Sequence, residues 1–189
     1  NKKKDAPSIS YKNYELIESE DQLLKFFTQA EKKGEICVDT ETTSLDPQNA
    51  NLVGLSLSSK IGHSCYVPIR HKNNDNLDEE KVLKLLKPIL EDKSIKKIGQ
   101  NIKFDYIVLF KRGIDMQPME DTMLMSYVLD AGRNRHNMDT LSKIHLNHSP
   151  ISYKDLVGSG KKQLNFSEVK VKLAKDYAAE DADITYRLY

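Results

Sequence analysis

Apolar positions recur along this chain with two different periods, and the changes between them mark the elements. In SEDQLLKFFTQAEKKG, residues Leu23, Leu24, Phe26, Phe27 and Ala30 share a helical face, and Gly34 is placed to end that helix. YELIES before it reads as a short strand. EICVDTE is a strand with an apolar start. In NLVGLSLSS, residues Val53, Leu55 and Leu57 alternate with Gly54, Ser56 and Ser58, the period of a half-buried strand. HSCYVPI puts Cys65, Val67 and Ile69 on one face, and Pro68 predicts an edge position or a nearby strand end. The short spacings between these three strands predict antiparallel neighbours.

The second half alternates strands with helices. NLDEEKVLKLLKPILED carries Val82, Leu85, Leu86 and Ile89 at helical spacing. Asn76 and Glu79 have the spacing of a capping box, and Pro88 predicts a kink or early break. KKIGQN is a brief strand leading into the helix IKFDYIVLFKRG. A very short strand opens MEDTMLMSYVLD, HNMDTLSKIHL is helical, and SEVKVKLAKDYAAEDADITYRLY is a long helix or a pair. A meander followed by strand–helix alternation predicts an α/β fold around a mixed sheet.

The bulk properties narrow the class. The chain has 189 residues, 39% of them apolar and 30% charged, enough for one domain with a real core. With 29 basic against 28 acidic side chains, any polyanion site must be local. Cys37 and Cys65 both lie in apolar segments and read as buried free thiols in a reducing compartment. No apolar run reaches membrane-spanning length. NKKKDAPS reads as a linker, and DADITYRLY stops within a helical pattern, so both ends suggest a piece of a longer protein.

Three acidic segments carry candidate chemistry. Asp39 and Glu41 stand at i and i+2, so in a strand both carboxylates project from one face; the plainer reading is a strand that ends in a polar turn. Asp105 lies one turn after Asn101 near a helix start, sharing its face or simply complementing the helix dipole. Tyr177 and Asp181 are one turn apart, and Glu180, Asp181 and Asp183 otherwise read as a solvated acidic face. Together the acids suit hard divalent cations, and a pair of such ions suits phosphoryl displacement. His136, His145 and His148 form no zinc pattern, and neither a nucleophile elbow nor a Walker or dinucleotide loop is present.

The order and form of these segments resemble the 3′–5′ exonuclease domain of the family A, bacterial polymerase I type DNA polymerases. More broadly they resemble the DEDD exonucleases of the subclass with a tyrosine in the third motif. Asp39-Thr40-Glu41 meets the first motif, NIKFD the second with Asn101, Phe104 and Asp105, and Tyr177 with Asp181 the third. VDTETTSLD, GQNIKFD, RHNMDTL and YAAEDADIT match in their flanks too, from about Ile36 onward and with the N-terminal helix included.

The resemblance implies a ribonuclease-H-like α/β fold with a mixed sheet of about five strands, over residues 10–189 after a linker at 1–9. It implies that Asp39, Glu41 and Asp181 hold a first Mg²⁺ or Mn²⁺, with Zn²⁺ also admissible there. Asp39 and Asp105 would hold a second ion, and Tyr177 would orient the attacking water. Leu45, Gln100, Asn101, Phe104, Arg135 and Tyr153 are the implied substrate contacts, with Tyr153 reading equally as a packing residue; some relatives carry tyrosine where Phe104 stands. From Ser149 to Lys175 six lysines face two acids, a local basic approach.

The implied activity is removal of nucleotides from the 3′ end of single-stranded or frayed DNA, as proofreading inside a polymerase chain. The implied setting is the bacterial cytoplasm at the nucleoid, without membrane contact and with the isolated domain monomeric. An exoribonuclease of the ribonuclease D type and a non-catalytic scaffold are the rival readings.

Overall fold

Six short runs of extended backbone form one sheet in the computed structural model, which describes residues 9–72 and 76–189. They are β1 (Tyr14–Leu16), β2 (Glu35–Thr42), β3 (Leu52–Lys60), β4 (His63–Pro68), β5 (Lys96–Gly99) and β6 (Met119–Asp121), in the spatial order β1-β4-β3-β2-β5-β6. The β2–β3–β4 meander is antiparallel as its short links predict, whereas β1, β5 and β6 join in parallel. All six strand segments read from the sequence pair in this one sheet, against the about five that the resemblance implies, and β1 and β6 are only three residues long. The linker reading of residues 1–9 falls almost entirely outside the described residues.

The described residues also form seven α-helices: α1 (Glu20–Lys33), α2 (Glu79–Glu91), α3 (Lys103–Phe110), α4 (Thr122–Asp130), α5 (Met138–Leu141), α6 (Tyr153–Val157) and α7 (Val171–Leu188). α1 begins at Ser19, whose side chain accepts from the Gln22 N–H, and ends at Gly34 with φ 72°. Its Leu23, Phe26, Phe27 and Ala30 are buried, but Leu24 is half exposed, since adjacent helical residues point about 100° apart. α2 is capped by Asp78 instead of Asn76, which exchanges hydrogen bonds with the backbone of His71. The helix runs through Pro88, which lies within a turn of its end.

The core is a cluster of Ile36, Val38, Leu55, Leu57, Cys65, Val67 and Ile69 packed against α1, α2 and α3. α7 packs on β1 to β5, with Ala174 and Ala178 beside Val53, Tyr66 and Phe166. β3 is therefore buried on both faces rather than half-buried, its small Ser56 and Ser58 fitting under a cover that a larger side chain would hold off. Val53 does not share a face with Leu55 and Leu57: a register shift opposite Glu41 and Thr42 turns it to the other cluster. Pro68 ends β4, which is not an edge strand. Both cysteines are free and buried, and burial pushes their thiols well above the usual range. Among the described residues no helix is long and apolar enough to cross a membrane.

Candidate active site

β2 lies at the middle of the sheet, and its pairing with β5 stops at Cys37, so the strand outruns its neighbour just before Asp39. That overhang presents Asp39 and Glu41 on the side covered by α7. Asp181 reaches the same place from α7, and one carboxylate oxygen from each of the three lies within 4.8 Å of the others. Glu41 and Asp181 are buried and Asp39 is partly exposed. Burial pushes the Asp39 carboxyl up to about 7. Burial, and then the charges of Asp39, Asp181 and Asp105, raise Glu41 well above the carboxylate range. Burial and Asp39 do the same to Asp181.

No counter-charge relieves this crowding among the described residues. The nearby basic side chains serve the other acids of α7 instead, His148 standing 2.7 Å from Glu180 and Arg187 3.0 Å from Asp183. Three crowded oxygens with like charge and no cation fit a hard divalent ion, which takes carboxylate oxygens and keeps some of its waters.

Asp105 stands apart from the trio. Its Oδ1 accepts from the Thr40 N–H at 2.9 Å and the Thr40 hydroxyl at 2.6 Å, on the flank where β5 has ended. It remains within electrostatic reach of Asp39, which raises it further after burial. Asn101 does not share a helical face with it. Asn101 sits outside α3 in the left-handed region, φ 59°, with its N–H bound to Asp121.

Tyr177 lies one turn before Asp181. Burial, followed by the charges of Asp181, Glu41 and Asp39, pushes its phenol well above 10, so it stays protonated. Its ring joins an aromatic wall: the Tyr153 and Tyr177 centroids are 6.0 Å apart edge to face, and Tyr153 lies parallel to Phe166 at 6.4 Å. The acids and this wall enclose a cleft of about 500 Å³, lined also by Leu45, Phe104, Leu164 and Asn165. Leu45 is 95% exposed at the rim and Tyr153 is 42% exposed.

The other expected substrate contacts do not line the cleft. Gln100 is a brace: its Nε2 donates to the His136 carbonyl at 2.8 Å, and its Oε1 accepts from Thr122 at 2.5 Å. Arg135, in the loop that Gln100 braces, is exposed, as is Asn101. Of the lysine-rich approach, Lys154, Lys162, Lys170 and Lys172 are exposed, and the stretch gives Tyr153, Gln163, Leu164 and Asn165 to the cleft wall.

Other roles were hidden in the sequence. Glu180 and Asp183 are fully buried rather than solvated; Asp183 accepts from the Tyr14 hydroxyl, the Gly62 N–H and Arg187. Asp121 collects the N–H groups of Asn101, Ile102 and Met123 and so fixes the turn that enters α3. Thr40 gave one signal, its place between two acids on the opposite face of the strand.

The family described as 3′–5′ exonuclease matches residues 14–189. DNA polymerase I of Rhizobium leguminosarum is 43% identical over 186 residues, covering 87% of this chain and 18% of that protein. DNA polymerase I of Pseudomonas aeruginosa is 44% identical over 179 residues, covering 89% and 19%. The chain thus spans about a fifth of the length of these relatives. Among solved structures, Trypanosoma brucei RNase D superposes with a TM-score of 0.75 at 14% identity, covering 93% of this chain and 63% of that one. At that identity the likeness concerns the fold, which is ribonuclease-H-like.

Proposed function

Because the chain belongs to the 3′–5′ exonuclease family that includes a domain of bacterial DNA polymerase I, we propose that it releases nucleotides from the 3′ end of single-stranded or frayed DNA. The observation that carries the reading is the uncompensated trio Asp39, Glu41 and Asp181 at the floor of a cleft with an aromatic wall. Asp39, Glu41 and Asp181 would hold one divalent ion, Mg²⁺ or Mn²⁺ with Zn²⁺ also admissible, and Asp39 with Asp105 a second. Such ions, when bound, supply an activated water and neutralise charge on the phosphate in flight.

The chain's own groups do the rest. Tyr177 keeps its proton and offers a hydroxyl that orients water or a phosphate oxygen beside Asp181. Thr40 holds the Asp105 carboxylate in place. Leu45 offers an apolar surface to the terminal base, while Tyr153 and Phe104 give aromatic contact that does not depend on base identity. Sequence-tolerant holding suits an editor that must accept any terminal base. The parent role we propose is therefore proofreading beside a polymerase domain in the same polypeptide, in the bacterial cytoplasm at the nucleoid. The domain itself is proposed to act as a monomer.

The deciding experiment compares 5′-labelled single-stranded DNA and RNA oligonucleotides of matched sequence, incubated with Mg²⁺ or Mn²⁺. The expected result is stepwise shortening of the DNA from its 3′ end, abolished in Asp39→Ala. Preferential RNA degradation would move the assignment to an exoribonuclease. No degradation, together with no binding of Mn²⁺ at millimolar concentration, would leave only a scaffold.

A further inference from the structure

The third acidic segment sends Asp181 to the cleft, and its neighbour Glu180 does not line the cleft at all. Glu180 is fully buried, yet both of its oxygens are occupied. Oε1 accepts from the Tyr11 hydroxyl at 2.7 Å and stands 2.7 Å from His148 Nε2; Oε2 accepts from the Ile151 N–H at 2.7 Å. Burying a carboxylate is costly unless such donors replace its water.

Two of the three donors belong to one stretch, His148 to Ile151, which runs directly into α6. Ser152 stands just before α6 and Tyr153 is the first residue of that helix, so the Ile151 bond lies two residues from the ring in the cleft wall. On the other side, Glu180 is within one turn of both Tyr177 and Asp181 on a rigid helix. One carboxylate therefore connects the aromatic wall to the helix that carries the acids.

We propose that Glu180 is a positioning residue for the strand-holding wall: its carboxylate fixes the His148–Ser152 stretch against α7 and so sets where the Tyr153 ring stands. The proposal rests on the reading of the cleft as a nuclease site that takes a 3′ terminus. Glu180 acts through Tyr153 and leaves the chemistry at the acids alone. Binding of a strand should therefore depend on it, while turnover of a substrate without a strand should not.

The test is a double-variant cycle on the full chain with two substrates. One is a single-stranded oligodeoxynucleotide; the other is the p-nitrophenyl ester of thymidine 5′-monophosphate, one nucleoside with no strand. Glu180→Gln puts an amide NH₂ against one of the three donors and is expected to raise the oligonucleotide KM about tenfold, the loss of one charge-assisted hydrogen bond. Its kcat on the ester should stay within about twofold, and in a Tyr153→Ala background it should add less than about twofold to KM. His148→Gln, which keeps a donor, should preserve KM where His148→Leu does not.

An undiminished Glu180→Gln effect in the Tyr153→Ala background, or an equal kcat loss on both substrates, overturns the proposal in favour of general stability. Amide hydrogen exchange over residues 151–157 gives a readout independent of activity. Unchanged exchange in Glu180→Gln sinks the pin whatever the chain catalyses. Loosened exchange with no hydrolysis by the parent protein leaves the pin standing and removes only the nuclease reading.

Discussion

Thr40 donates both its backbone N–H and its hydroxyl to one oxygen of Asp105, at 2.9 and 2.6 Å, so the residue between Asp39 and Glu41 in sequence binds the fourth acid. The two faces of one strand are thereby divided. Odd positions present carboxylates toward α7, and the even position between them secures a carboxylate arriving from α3.

Thr40→Val keeps the shape of the side chain and removes the hydroxyl. Its expected cost is about 1–3 kcal/mol, the range for a lost hydrogen bond to a buried acid. Urea unfolding of the metal-free protein measures it. A change within about 0.5 kcal/mol would mean that the backbone N–H alone holds Asp105.

Asp181→Asn removes one like charge from a crowded trio, so activity and stability should part company. Hydrolysis of a 3′-ended oligonucleotide should fall about a thousandfold, since metal assistance supplies several kcal/mol. The metal-free protein should melt no lower than its parent, because Asp39 and Glu41 are relieved of a neighbour whose charge raises Glu41. Mn²⁺ at about 100 times its Kd should stabilise the parent by about 2.7 kcal/mol and the variant far less. Calorimetric melts with and without Mn²⁺ check both signs.

Leu45→Ala tests the exposed rim. Leu45 is 95% exposed and buries almost nothing, so the melting temperature should not move measurably. If it supports the terminal base, KM for the oligonucleotide should rise about threefold to tenfold, equivalent to roughly one lost apolar contact. Equal KM values would remove Leu45 from the binding surface.

Lys97 predicts a pH effect away from the cleft. It is fully buried in β5, its Nζ donating to the carbonyls of Asp92 and Ile95, and burial lowers its pKa from 10.5 to about 8. Between those values the unfolded chain holds a proton that the folded chain has lost, so this group makes stability rise with pH. Buried tyrosines and cysteines titrate the other way at high pH, so the comparison must be a difference. The urea midpoint of the parent minus that of Lys97→Met should increase from pH 8 to pH 10. A flat difference would show that Lys97 keeps its charge when folded.

The parts of the site that were legible in the sequence are those whose geometry is local. Asp39 and Glu41 share a strand face because two residues span one period, and Tyr177 and Asp181 share a helix face because four residues span about one turn. Roles that depend on distant partners were not legible. Asn101 looked helical from its spacing to Asp105, but Asp121 takes its N–H and turns it left-handed before the helix begins. Gln100 sits among motif residues, yet its amide is committed to His136 and Thr122. Glu180 and Asp183 read as a charged surface because their phenol donors, Tyr11 and Tyr14, stand 169 residues away. In the fold, the period of β3 was visible, but the burial of its small-residue face depends on a helix more than a hundred residues later.

Those two tyrosine contacts also set an order of events during synthesis. Within the described residues, the 3₁₀ turn Tyr11–Asn13 and β1 are made before the other strands, and α7, which they clasp, is made after them. A strand bearing Asp39 and Glu41 must therefore wait, part of its sheet bare, until the helix bearing Asp181 arrives to cover it. Contacts so far apart in sequence slow folding, because the chain must close a long loop before it gains anything from them. A nascent chain can carry Asp39, Glu41 and Asp105 and still lack Asp181, so the proposed metal site is complete only once α7 has formed.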